Sequence, residues 1–134
     1  MGPLTRWLLL AVAAFGALAG SYHAYLRQTP HKVLVLIDTS FAMREALPRL
    51  PAILRSLEGQ RYTVYALETD KAPIHDFSER LRPGRLDAYA PRNLDALKAR
   101  AGKAPFDQAD EVILVSNAGA DELNVPARWR VIVP

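Results

Sequence analysis

Apolar runs that end abruptly in polar residues set the framework of the chain beyond its N-terminus. Residues 32–38 and 111–116 are such runs, and their length predicts strands that are buried on both faces. Residues 61–68 and 129–133 are rich in residues that favour strands and predict two more. Residues 73–77 predict a short edge strand, where Pro is tolerated.

Two segments between these strands have the periodicity of helices. Residues 44–59 carry a single apolar stripe, although Pro48 and Pro51 can move the first regular turn towards Pro48 or later. Residues 93–101 follow an asparagine that can cap a helix and precede a glycine. The alternation of strands and helices predicts an α/β fold: a small, mainly parallel sheet with helices on both faces.

Residues 7–26 form a different kind of apolar run, with no charged residue over twenty positions. This length suffices for a helix to span a membrane. A cleaved signal peptide is an alternative, with Ala-Leu-Ala at residues 17–19 as its cleavage site, and a buried core helix is another. Because apolar residues continue to Leu26, we favour an uncleaved anchor. The predicted division is a membrane anchor or signal segment at 1–27 and a minimal α/β domain at 28–134. The expected location is a single-pass membrane protein with its domain outside the cytoplasm, in the periplasm.

Charge and cysteine content narrow the function classes. The formal net charge is +3, but Arg6 and Arg27 flank the apolar run, and residues 28–134 carry 15 basic and 14 acidic side chains. A nearly neutral domain gives no electrostatic reason to bind nucleic acid. The chain has no cysteine, which excludes disulfides and thiolate metal sites.

Polar side chains at the ends of the buried strands are the candidates for function. Ligands of open parallel sheets bind at the carboxyl ends of the strands, and Asp38, Thr39 and Ser40 follow the first strand directly. Asp38 is also a conceivable nucleophile of a small hydrolase or phosphotransferase that forms an aspartyl-phosphate. Such chemistry usually needs a second acid two residues later, where this chain has Ser40.

The first strand with its polar end, residues 33–43, resembles the start of a von Willebrand factor type A domain, and residues 111–119 resemble that family's later central strand. The resemblance implies a vWA/Rossmann-like fold and a metal-ion-dependent adhesion site for Mg²⁺. Asp38 and Ser40 match its ligands, whereas Ala42 replaces the second serine and Asn117 the second aspartate. The expectation is a degenerate site: at most weak Mg²⁺ binding through Asp38 and Ser40, and no other cofactor. A guanidinium from Arg92 near Asp38 is a hypothetical substitute for the cation.

The resemblance favours a protein-binding module over an enzyme, as an accessory or assembly factor of a bacterial envelope complex. Its partner would be another membrane or periplasmic protein. A purely structural membrane subunit is a further alternative. The expected contact residues lie at the carboxyl end of the sheet: Asp38, Thr39, Ser40, Phe41, Asn117 and Asp121. For Phe41, orientation towards the core is slightly favoured over exposure at an interface.

Overall fold

A computed structural model describes residues 2–134, and the chain divides into two compact units after Pro30. The first unit consists of helix α1, Pro3–Gln28, in which no residue is buried. This helix is long and apolar enough to cross a membrane. It could therefore serve as a transmembrane or signal anchor.

The second unit, His31–Pro134, is an α/β domain built on one five-stranded sheet. Its elements are β1 (His31–Ile37), α2 (Leu50–Leu57), β2 (Thr63–Thr69), β3 (Pro73–Ser78), α3 (Leu94–Arg100), β4 (Glu111–Val115) and β5 (Arg130–Ile132). The strand order is β3-β2-β1-β4-β5. β1 pairs in parallel with β2 and β4, and β4 with β5, while β3 runs antiparallel at one edge. The prediction of a mainly parallel sheet is confirmed.

Alternate residues of the central strand supply two separate cores, one on each face of the sheet. Val33, Val35 and Ile37 pack with the apolar stripe of α2. Leu34 and Leu36 pack on the opposite face with Leu94 and Leu97 of α3. A strand buried on both faces carries apolar residues at every position, which explains the uninterrupted run that begins the domain.

The segment predicted as one helix over residues 44–59 folds differently at its start. Two short 3₁₀ helices, Phe41–Met43 and Leu47–Arg49, precede α2, which covers only Leu50–Leu57. Proline lacks an N–H and is tolerated in the first turn of a helix. Pro51 lies in the first turn of α2, so the regular helix begins at Leu50 rather than at residue 44.

A buried tyrosine joins β2 to the end of α2. Tyr65 is 2 % exposed, and its hydroxyl donates a hydrogen bond of 2.8 Å to the carbonyl oxygen of Leu57. Tyr65→Phe should lower the free energy of unfolding by about 1 kcal/mol, because the carbonyl loses a buried partner. Urea unfolding in detergent micelles, followed by tryptophan fluorescence, measures this loss. Tyr89→Phe is the control at a 51 % exposed position, and an equal loss there would contradict the assignment.

Candidate functional site

The register of the sheet brings three polar residues together at its carboxyl end. Ile37 pairs with Thr69 of β2 and with Val115 of β4, so the next residue of each strand lies beside its neighbours. These residues are Asp38, Asp70 and Ser116. The backbone N–H of Asp38 donates to the carbonyl of Val115 at 3.0 Å, and that of Asp70 donates to the carbonyl of Ile37 at 3.1 Å.

Asp38 is fully buried, and both oxygens of its carboxylate accept hydrogen bonds. Oδ1 accepts the backbone N–H of Ser40 at 2.9 Å, while Oδ2 accepts the Ser116 hydroxyl and the Arg92 Nε–H, both at 2.7 Å. Burial by itself would raise the pKa of Asp38, but hydrogen bonds from Ser40, Ser116 and Arg92 outweigh it and hold the pKa below its ordinary value. Asp38 is therefore a buried carboxylate anion.

Arg92 is the cation that neutralises this carboxylate. Its side chain is only 15 % exposed, and its two terminal nitrogens donate to the carboxylate of Glu122 and to the side-chain carbonyl of Asn117. The Asn117 amide nitrogen donates in turn to the carbonyl oxygen of Ala42 at 2.7 Å. One guanidinium thus connects the turn after β1, the loop before α3 and the turn after β4.

The loop that carries Arg92 is held by backbone hydrogen bonds to the turn after β1. Tyr89 donates its N–H to the carbonyl of Thr39 at 2.9 Å, and Phe41 donates its N–H to the carbonyl of Ala90 at 3.1 Å. Ala90 adopts φ +64°, a left-handed conformation that costs a non-glycine residue about 1–3 kcal/mol. The paired loops hold this conformation and place Arg92 beside Asp38.

Asp70 forms a second buried ion pair next to the first. Its Oδ1 accepts the backbone N–H and the hydroxyl of Thr39, at 3.0 and 2.7 Å. Its Oδ2 accepts the ammonium of Lys71 at 2.6 Å, and that ammonium lies 5.0 Å from the centre of the Tyr89 ring. Each buried carboxylate at this end of the sheet therefore has its own largely buried cation.

Phe41 projects from this end of the sheet with 54 % of its surface exposed. The slight preference for a core-facing Phe41 was therefore wrong. The short 3₁₀ helix at Phe41–Met43 turns Met43 inwards instead, where it is fully buried. Arg44 places its guanidinium 5.8 Å from the Phe41 ring centre. Phe41, Ala42, Asn117 and Asp121 are exposed residues of the turns after β1 and β4, and we call these four residues the rim.

The other predicted contact residues lie beneath the rim. Asp38, Thr39 and Ser40 are at most 1 % exposed, so they support the surface and do not reach a partner in this conformation. Asn117 and Asp121 are exposed. Among these, Asp121 makes no contact in the network, and its neighbour Glu122 pairs with Arg92 instead.

The residues around Asp38 do not fit an octahedral Mg²⁺ site, which needs about six oxygen ligands. Both carboxylate oxygens of Asp38 are already engaged, and Arg92 binds the oxygen that a cation would need. Ala42 has no side-chain oxygen. Ser40 keeps a buried hydroxyl without a hydrogen-bond partner among residues 2–134, but one hydroxyl is not a site. No group of three or more His, Asp or Glu side chains in that same range could hold a metal ion.

Several residues of the network were absent from the sequence-based site: Asp70, Lys71, Ser116 and Glu122. The position of Asp70 in the sequence could have predicted its place in the site, because an acid that follows a second parallel strand lies at the same end of the sheet as Asp38. Lys71 and Glu122 had no such signal in the sequence, since surface charges of their type occur throughout the chain.

Comparison of the chain with protein-family models, curated proteins and solved structures found no match.

Proposed function

We propose that this protein is a membrane-anchored protein-binding module that contacts its partner through the rim. The observation that carries the proposal is the 54 % exposed Phe41, which lies on a turn whose backbone is fixed by Ala90 and Asn117. Aromatic residues on a rigid support are frequent anchors of protein interfaces because little conformational entropy is lost when they bind. The helix α1 would supply the anchor.

The burial and the hydrogen bonds of Asp38 favour a protein-binding function over a hydrolytic one. A nucleophilic carboxylate needs an oxygen that can approach the substrate. In this domain both Asp38 oxygens accept hydrogen bonds, and the residue is 0 % exposed. Its lowered pKa indicates a stabilised anion, which makes it a weaker nucleophile as well as an inaccessible one.

We propose further that the domain is a degenerate von Willebrand factor type A-like domain, acting as an accessory or assembly factor of a bacterial envelope complex. Support comes from the order of its strands and helices and from Asp38 and Ser40 at the end of the first strand. In this proposal Arg92 takes the place of the metal ion, and the adhesion surface has become independent of metal. A domain outside the cytoplasm belongs to the same proposal.

Replacement of Phe41 by Ser tests the role of the rim. We expect Phe41→Ser to reduce the partner recovered from solubilised membranes at least about tenfold, since loss of an aromatic anchor costs more than about 1.4 kcal/mol. The free energy of unfolding should change by less than about 0.5 kcal/mol, because the side chain is exposed. Quantitative affinity purification followed by mass spectrometry measures the first effect, and urea unfolding the second.

Val133→Ser is the matched control, because Val133 is 68 % exposed and does not belong to the rim. Partner recovery should be unchanged in Val133→Ser and unaffected by excess Mg²⁺ or EDTA. Equal recovery with wild type and Phe41→Ser would refute the rim as the contact surface. If Phe41→Ser and a folded variant with both Asp38 and Ser40 replaced kept all their partners, the structural-subunit alternative would be favoured.

A further inference from the structure

Four arginines lie near the amino end of the sheet, where α2 ends and the loop after β3 begins. Ser78, the last residue of β3, pairs with Tyr65 near the start of β2. A hydrogen bond of 2.6 Å from the backbone N–H of Leu81 to Glu58 Oε1 then joins this loop to the end of α2. The members of the group are Arg55, Arg61, Arg80 and Arg82, and we call them the arginine patch.

The arginine patch faces solvent and is free of acidic partners. Leu81 is 7 % exposed and packs in the same core as the leucines of α2, so Arg80 and Arg82 on either side of it are exposed. The other two members are exposed as well. No member of the patch forms an ion pair with an acid among residues 2–134. Arg61 has only a ring contact, 5.7 Å from the centre of the Tyr62 ring.

The acids near the patch leave it with a positive charge. Residues 55–61 and 79–82 together contain four arginines and two glutamates and carry a net charge of +2, whereas residues 28–134 as a whole carry +1. Asp110 and Glu111 also lie near the amino end of the sheet, at the start of β4, but they are already paired with His31 and Arg130. A concentrated positive charge of this kind attracts an anionic partner.

The position of the patch along the chain indicates which anion it meets. Only Thr29 and Pro30 separate α1 from β1, and two residues of extended chain reach only about 7 Å. His31, the first residue of β1, pairs with Thr63 at the amino end of the sheet, which is the end that carries the patch. A bilayer that held α1 would therefore lie close to the four arginines.

We propose that the arginine patch binds the anionic phosphodiester headgroups of the membrane that holds α1. A guanidinium donates two parallel hydrogen bonds to phosphate oxygens, and each arginine near an anionic membrane surface strengthens binding about fivefold. The proposal rests on the membrane anchoring that we propose for α1, but not on partner binding by the rim. Because the rim lies at the carboxyl end of the sheet, a patch bound to lipid would leave the rim free to meet another protein.

Full-length protein in lipid nanodiscs tests the proposal, with a trace of a lipid whose headgroup chelates Gd³⁺ and with backbone amide relaxation as the readout. We expect strong relaxation at Gly59 and Leu81 in equal mixtures of phosphatidylcholine and phosphatidylglycerol, and much weaker relaxation in phosphatidylcholine alone. The effect should fall in about 1 M NaCl, where charges are screened beyond about 3 Å. Arg80→Gln combined with Arg82→Gln should lower the ratio of headgroup-bound to free domain at least about tenfold.

Arg49→Gln combined with Arg85→Gln is the matched control. It removes the same charge from two exposed arginines at the carboxyl end of the sheet, so its relaxation should equal that of the wild type. Gly119, in the turn after β4, should show little relaxation in every sample. The urea midpoint should be unchanged in both double variants, because all four side chains are exposed.

Equal relaxation in the two kinds of nanodisc, or in the wild type and the Arg80→Gln, Arg82→Gln variant, would overturn the proposal. Chemical-shift changes at the same amides with a glutamate-rich peptide, without headgroup relaxation, would assign the patch to an acidic segment of a partner protein instead. Failure of the chain to enter nanodiscs would refute both the anchor and the lipid contact. Entry into nanodiscs without headgroup relaxation at Gly59 and Leu81 would refute the lipid contact alone.

Discussion

Arg92→Ala is expected to lower the free energy of unfolding by about 3–5 kcal/mol, the usual cost of removing one partner of a buried ion pair. Asp38 would keep its burial and its hydrogen bonds from Ser40 and Ser116, but it would lose the cation 2.7 Å from Oδ2. The loops that Arg92 connects would also lose their shared contact. Urea unfolding of the full chain in detergent micelles, followed by the fluorescence of the buried Trp129, gives the measurement.

Arg85→Ala provides the matched control for Arg92. The Arg85 side chain is 88 % exposed and pairs with Asp87 at 3.4 Å, and exposed pairs contribute only about 0–1 kcal/mol. Equal losses in Arg92→Ala and Arg85→Ala would contradict the assignment of Arg92 as the buried counter-ion. Excess Mg²⁺ should leave the melting temperature of the wild type unchanged, because the guanidinium already engages Asp38. A clear increase in the melting temperature with Mg²⁺ would instead support a metal site at Asp38.

Asp38→Asn should destabilise the protein by about 3 kcal/mol at pH 7, and the difference from wild type should shrink as the pH falls. The pKa of Asp38 in the folded state lies below its ordinary value of 3.8, so the unfolded chain takes up the proton first. The stability that the carboxylate provides is therefore complete above the unfolded pKa and is lost as the pH falls through the folded pKa. Unfolding measured between pH 7 and pH 3 follows this loss.

The difference in unfolding free energy between wild type and Asp38→Asn separates the effect of Asp38 from the effects of other titrating groups. Glu68 acts in the opposite direction, because burial raises its pKa, and a raised pKa gives stability at low pH that is lost as the pH rises. Both proteins contain Glu68, so its contribution cancels in the comparison. Asp95→Asn serves as a control at a side chain that is 91 % exposed and should follow the wild-type pH curve. A constant difference between wild type and Asp38→Asn over this range would show that Asp38 is not a stabilising anion.

The strands of the domain could be predicted because burial imposes a distinct pattern on them. Residues 32–38 and 111–116 had no polar interruption, and the structure places β1 and β4 in the interior of the sheet. A short edge strand was also predicted correctly at residues 73–77, because proline is tolerated at an edge; the structure extends it to Ser78 and shows that it runs antiparallel to β2. The helix α3 begins directly after Asn93, whose side chain accepts the N–H of Ala96 at 3.1 Å as the cap expected there.

The candidate site was only partly predictable, because its contacts depend on loops. The position of Arg92 near Asp38 was a hypothesis that rested on the family resemblance, and the structure shows the contact at 2.7 Å. The direction of Phe41 was not accessible, since two 3₁₀ helices replace the regular helix that its neighbours suggested. The burial of Thr39 beneath Lys71 and Tyr89 likewise depends on a loop that arrives from 50 residues further along the chain.

The side chain of Asn117 couples the proposed contact surface to the protonation of Asp38. It contacts the carbonyl of Ala42, next to Phe41, and also Arg92, which neutralises Asp38. A partner that binds only the folded rim adds RT ln(1 + [L]/Kd) to the stability of the domain. Such a partner would shift acid unfolding to lower pH, and acidification would reciprocally weaken the partner's affinity. Protonation of Asp38 would then weaken assembly, although Asp38 is buried and does not belong to the rim.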